Sequence, residues 1–259
     1  MLGKTLLACG VLSSLLYVAA DLLAAVRFPG YHSFISQAVS ELTAVGAPTK
    51  GLVEPLFIAY DLLIIAFGIG VWMSAGGRRA VRIVGGLLTG IGVVGLVAMP
   101  FTPMHLRGTG NLSTDAPHIV VTGVTVLFIL AAVGFGASLF GRRFRLYSIA
   151  TLLTLLVFGA WTGIEAGRLA AGRPTPWLGA GERIHIGAYL LWVVVLAFAI
   201  RRSTVPPTPS GRERAVRMAD AISRPAVAPR PCSLPVGRPS RPRHARNPPA
   251  PTHAPPSRM

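Results

Sequence analysis

Cysteine, lysine and acidic residues are all scarce in this chain, and each scarcity narrows what it can be. Only two of 259 residues are cysteines, Cys9 and Cys232, on sides expected to be incompatible with pairing, so no disulfide framework is implied. Charged residues make up 13% against 52% hydrophobic, with a mean hydropathy of +0.58. Those values exclude an ordinary soluble globular domain and place the chain in the helical membrane class. Acidic residues number 9 against 25 basic ones, a balance that by itself suggests a nucleic-acid partner. By region, residues 1–200 hold 13 basic and 7 acidic side chains, and residues 201–259 hold 12 and 2. The excess therefore belongs mostly to the tail, which has no Phe, Trp or Tyr to stack on bases, and no nucleic-acid partner is expected. Lysine occurs only at Lys4 and Lys50 beside 23 arginines, with abundant Ala, Gly and Val. We read that as the codon bias of a GC-rich bacterium.

What the chain has in plenty is apolar runs. A helix crossing the hydrocarbon core needs about 20 apolar residues. Six segments qualify: roughly Lys4–Val26, Leu52–Ser74, Ala80–Phe101, His118–Phe140, Phe144–Glu165 and Glu182–Ile200. The fold class expected is all-α: a polytopic transmembrane bundle of six spans over residues 1–202, with a disordered Pro/Arg-rich tail over 203–259. The first run also carries Val18-Ala19-Ala20, a small-residue pattern of the signal-peptidase kind. It continues through Leu22–Val26, however, so it is expected to stay as a span. From Ser203 onward, 14 prolines in 57 residues leave too little apolar surface to fold. Basic residues in short loops set orientation. Lys4, Arg78, Arg79, Arg82, Arg142, Arg143, Arg145, Arg201 and Arg202 share one side; the other loops carry six, spread more thinly. Both termini are thus expected in the cytoplasm of a bacterial cell, with loops one, three and five facing outward across the cytoplasmic membrane.

The outward loops and the adjoining turns hold most of the ionisable residues. Asp21, Ser40, Glu41, Glu165, Glu182 and Arg183 form a candidate polar pocket, because charged groups near hydrocarbon are costly and usually have a use. Loop one alternates polar and apolar residues over Phe34–Leu42 and predicts a short amphipathic helix at the interface. His105, Asp115, His118 and His185 are donors of the type that holds a divalent metal such as zinc, although their spacing matches no compact motif. Asp115 equally suits an N-cap before Pro117. Glu182 and His185 share a helix face, and Arg168 or Arg183 is a ready ion-pair partner for Glu165 or Glu182. Asp61 stands apart, about 14 Å into the second span by helical rise, with Glu54 on roughly the same face. Heavy glycine use, as in Gly86 and Gly90, points to close helix packing.

Three stretches, PGYHSFISQAVSELTAVGAPT, MHLRG with TDAPH, and GERIHIGAYLLW, resemble the bacterial six-span membrane proteins grouped as the domain of unknown function 998 family. The resemblance runs from about Leu6 to Ile200 and implies the six-span fold; it implies no activity. Three functions stay open on the residues alone. One is a non-catalytic protein embedded in the lipid bilayer that binds a lipid, a small molecule or a partner in an outward polar pocket. Another is a metal-dependent hydrolase of a lipid-like substrate, with the histidines holding the ion. The third is a transporter that uses Asp61 and Glu54.

Overall fold

The computed structural model describes residues 2–109 and 112–203; the expected tail lies outside the described residues. Among the described residues six helices follow one another: α1 (Leu2–Arg27), α2 (Lys50–Met73), α3 (Arg79–Phe101), α4 (Leu112–Gly136), α5 (Arg142–Ala170) and α6 (Leu178–Ser203). Between α1 and α2 lies a short 3₁₀ turn, Ser40–Thr43. All six helices are long and apolar enough to cross a membrane, as the run lengths predict. All six begin earlier than the hydropathy alone suggests, most of all α4, which starts at Leu112 with a polar first turn, and α6, which starts at Leu178 with the small residues Gly179, Ala180 and Gly181.

Each helix packs against its neighbours in sequence, and α1 also packs against α6, so the six close into a ring. The centre of the ring is filled. Ile64, Phe67 and Val71 of α2, Val84 and Leu88 of α3, Ala132 and Val133 of α4, Leu155 of α5, and Trp192, Val193 and Leu196 of α6 are buried in one cluster. Exposed apolar side chains such as Leu15, Leu62, Val97, Leu127, Val157 and Leu191 cover the perimeter, as a surface facing lipid chains requires. Loops one, three and five gather at one end of the ring, called here the polar end. The start of α1 and the end of α6 lie at the opposite, terminal end.

Glycine sets a close backbone contact between α2 and α3. Gly68 of α2 and Gly85 of α3 face each other so closely that a Cβ on either would stand 2.8 Å from the other's carbonyl oxygen. The sequence points to Gly86 and Gly90 for this role. Instead, those two receive the rings of Trp72 and Phe128, and the backbone contact falls one residue earlier. With no hydrophobic drive between helices in lipid, such shape matching carries much of the association. Gly68→Ala is expected to lower stability by about 1–3 kcal/mol through overpacking. Gly134→Ala, where a Cβ meets nothing within 4 Å, is expected to stay within about 0.5 kcal/mol of the parent. Thermal unfolding in detergent separates the two.

Candidate functional site

Loop one does not form the expected interfacial amphipathic helix. After Arg27 the chain turns inward, and Tyr31, Val39 and Leu42 pack with Ala24, Ala25 and Val53 into a small apolar cluster under the polar end. The local reason is polar. The Gln37 side chain accepts from the backbone amides of His32 and Ser33 at 2.7 and 3.1 Å. The Glu41 carboxylate accepts from the Ala38 amide at 3.0 Å. These local bonds offer the backbone an alternative to a helix, and only the single 3₁₀ turn at Ser40–Thr43 remains.

Two arginines then fasten this loop to its neighbours. Arg183, one turn into α6, clamps Asp21 of α1 through two bonds, Nε to Oδ2 at 2.9 Å and Nη2 to Oδ1 at 2.7 Å. Its Nη1 donates to the carbonyls of Phe34 and Gln37 at 2.9 and 3.0 Å, and its Nη2 also donates to the Tyr31 hydroxyl at 2.6 Å. Every N–H of the guanidinium is engaged, and the group also lies 4.9 Å from the Phe34 ring centroid. Burial pushes the Tyr31 phenol up to about 12, against the pull of the adjacent guanidinium. The hydroxyl therefore keeps its proton and donates it to the Gln37 carbonyl at 2.6 Å.

Arg107 repeats the device in loop three. It bonds Glu41 at 2.8 Å, the Ser36 carbonyl at 3.0 Å and the Thr175 hydroxyl of loop five at 2.6 Å. Glu41 is 1% exposed, so this is a desolvated pair. Val45 donates to the Met104 carbonyl at 2.7 Å, a second tie between loops one and three. Glu182 takes no arginine. It accepts the Val39 amide at 2.6 Å, while Ala180 donates to the Ile35 carbonyl at 2.9 Å.

A second arrangement runs along the seam between α5 and α6. Glu165 is 2% exposed; its Oε1 accepts from Arg168 at 2.8 Å, and its Oε2 has no protein partner. Thr162 lies one turn away on the same face of α5, and its buried hydroxyl also lacks a partner. Across the seam, Gly181 stands so near that a Cβ there would lie 3.1 Å from the Thr162 hydroxyl. One turn further along α6, the His185 ring lies against Gly159, and its Nδ1 is 3.0 Å from the Leu155 carbonyl. A carbonyl only accepts, so Nδ1 carries the hydrogen, and Nε2 of the neutral ring is left as a buried acceptor with no partner.

The residues singled out in sequence thus divide. Asp21, Glu41, Glu182 and Arg183 do meet at the polar end, while Ser40 opens the 3₁₀ turn and its carbonyl accepts from Thr43 at 3.2 Å. Glu165 pairs with Arg168, and Arg183 turns to Asp21 rather than to Glu165 or Glu182. The metal candidates separate into different settings. His105 Nδ1 bonds Asp115 at 2.6 Å, His118 faces the Thr102 carbonyl at 3.2 Å, and His185 faces Leu155. Among the described residues no three His, Cys, Asp or Glu side chains gather as a metal site. Asp115 lies inside the first turn of α4 rather than capping it, where its charge suits the helix dipole. Asp61 is buried far from the loops, its carboxyl against Gly95 of α3.

Sequence reading missed Arg107, Tyr31, Gln37 and Thr162. Arg107 counts as one more loop cation until Glu41 is found beside it, and a hydroxyl on a helix carries no mark of its burial. Six apolar helices closed by arginine-tied loops define a polytopic helical membrane protein. A family model described as "Protein of unknown function (DUF998)" matches residues 11–199, and the chain belongs to that family. No curated protein and no solved structure matches it.

Arg183→Gln is expected to cost about 3–5 kcal/mol of stability, because it leaves the Asp21 carboxylate buried and unpaired. It should also open loop one to trypsin at Arg27 and Lys50. Adding Asp21→Asn should recover at least about 1 kcal/mol of that loss. Melting temperature and tryptic maps of the single and double variants check both statements.

Proposed function

We propose that this chain is a non-catalytic, multi-pass protein of the bacterial cytoplasmic membrane. Both termini are cytoplasmic and the polar end faces outward, where it binds a small hydroxylated or ammonium-bearing molecule, or a lipid headgroup of that kind, beneath loop one. One observation carries the reading: Thr162, Glu165 and His185 each hold a buried polar atom without a protein partner on one helix seam. A buried polar atom left unpaired costs about 1–3 kcal/mol, so three together call for a molecule that meets them.

The chemistry of the three atoms selects its class. Glu165 Oε2 and His185 Nε2 both accept, and the Thr162 hydroxyl either accepts or donates. The complement is a ligand rich in hydrogen-bond donors. The paired groups around the seam play a different part. Asp21, Glu41 and Arg183 are consumed in holding loop one down, and Glu182 joins them through the Val39 amide, so these four form the roof. Sites of this kind set orientation with a few polar groups in apolar surroundings. Glu182 and Ser40 stand nearest in sequence to the contacts between loop one and α6, and lifting loop one would expose them.

Native mass spectrometry of protein released gently from its own membrane is the direct test. A bound species of defined mass is expected in the parent and is expected to fall at least tenfold in both Glu165→Gln and His185→Phe, roughly 1.4 kcal/mol or more of lost affinity. A parent that carries no such species would overturn the ligand reading. Orientation is checked separately, in a background of Cys9→Ser and Cys232→Ser. An impermeant maleimide added to intact cells should label Thr109→Cys and spare Gly141→Cys; the opposite pattern reverses the assigned topology.

A further inference from the structure

The α5–α6 seam is layered along the membrane normal, and the layers select a ligand. Outermost are two cations. Arg168 is about half exposed, and its bond to Glu165 is the only one its side chain makes among the described residues. Arg173 of loop five is exposed, and its amide donates to the Arg168 carbonyl at 2.9 Å. Its guanidinium has no hydrogen bond or ion pair among the described residues. No acid occurs between Glu165 and Glu182, and Glu182 is turned to the Val39 amide. With Arg168 set against Glu165, the charge of Arg173 is left uncompensated at the rim.

The open polar atoms lie deeper. Glu165 Oε2 and the Thr162 hydroxyl, both buried and unpartnered, are about 4.5 and 9 Å further in than Arg168 by helical rise. Trp161 stands at their level: a Cβ on Gly181 would lie 3.1 Å from its Cδ1, and its indole is about half exposed. Exposed tryptophans collect at the boundary between water and hydrocarbon, where a membrane lipid carries its glycerol. Toward water the seam is covered. Gly179 packs on the carbonyls of Phe34 and Gln37, and Arg107 holds Thr175 of loop five at 2.6 Å. Toward lipid it is bordered by Trp161 and the exposed Ile164. A ligand therefore enters sideways, from the membrane.

A phospholipid with two acyl chains presents only ester oxygens at this depth, and these accept where Glu165 also accepts. A free glycerol hydroxyl fits instead. It donates to Glu165 Oε2 and accepts from Thr162, so one group meets both atoms. Taking the α5–α6 seam as the ligand site, we infer that it seats a phospholipid with a single acyl chain. The phosphate lies against Arg168 and Arg173, the free hydroxyl lies between Glu165 and Thr162, and the chain runs past Trp161 along the lipid side of α5. A second donor, where the amphiphile carries one, falls to His185 Nε2 one turn deeper.

The test uses the full chain in detergent and native mass spectrometry, with four probes at equal concentration. They are 1-oleoyl lysophosphatidate, its 2-O-methyl ether, dioleoyl phosphatidate and glycerol 3-phosphate. The parent should retain lysophosphatidate about tenfold more than the ether or the diacyl lipid, the effect of one hydroxyl left unmatched. It should retain no glycerol 3-phosphate. Glu165→Gln replaces the open acceptor with an amide donor and should bring the hydroxyl-to-ether ratio close to one. Arg173→Gln should weaken both single-chain lipids alike, by about fivefold, and leave their ratio unchanged. Each ratio is read within one folded sample, so a loss of stability does not imitate it. A parent ratio near one, a ratio that survives Glu165→Gln, or glycerol 3-phosphate held as well as the lipid would each overturn the proposal. The species that co-purifies separates this from the ligand reading. If it is lost in Glu165→Gln and His185→Phe while the added lipids show no discrimination, the lysolipid falls and the ligand site stands.

Discussion

The bidentate bond between Arg183 and Asp21 is the contact on which the polar end depends. It joins the last helix of the chain to the first, and the same guanidinium holds loop one by two carbonyls and a phenol. A planar fork with five donors can do this in one place; a lysine, with a compact point charge, cannot. Removal of water from the pair raises its cost and its directionality together, so an intact geometry holds loop one in one position. Arg107 and Glu41 then extend the lock to loops three and five. The ring of helices is closed by packing along its length and by charge at one end.

That division explains where chemistry is available. Groups that saturate one another, such as Asp21 with Arg183, have nothing left for a ligand. Groups that remain open sit just beside the lock, on the α5–α6 seam, where two glycines, Gly159 and Gly181, let polar side chains lie between helices. The same principle of small residues that create space operates at the opposite end, where Ala8 and Ala197 open a groove toward lipid.

The fold was legible almost in full. Six runs of about 20 apolar residues can satisfy their backbone in hydrocarbon only as helices, and the observed helices overlap each predicted run. The ends were less legible, because the polar first turn of α4 and the glycine-rich first turn of α6 lie beyond the hydropathy signal but still bond as helix. The site was half legible. Cost arguments flagged Asp21, Glu41, Glu165, Glu182 and Arg183 as residues with a purpose, and four of the five meet at the polar end. Pairing was not legible, because Asp21 and Arg183 are separated by 162 positions and no local spacing marks them as partners. The amphipathic helix expected in loop one failed for a related reason. Its polar residues Gln37 and Glu41 are spent on the loop's own backbone amides, and Ala38, Val39 and Leu42 are buried in the bundle, so they do not divide into the two faces of a helix.

By itself the sequence determined class, span count and the level at which charge collects, since all three follow from solvation energies that each residue carries wherever it sits. Tertiary structure alone decided which charges cancel, which buried atoms stay open and where helices part to leave a groove. Those depend on distances between residues far apart in the chain, and such distances exist only once the ring has closed.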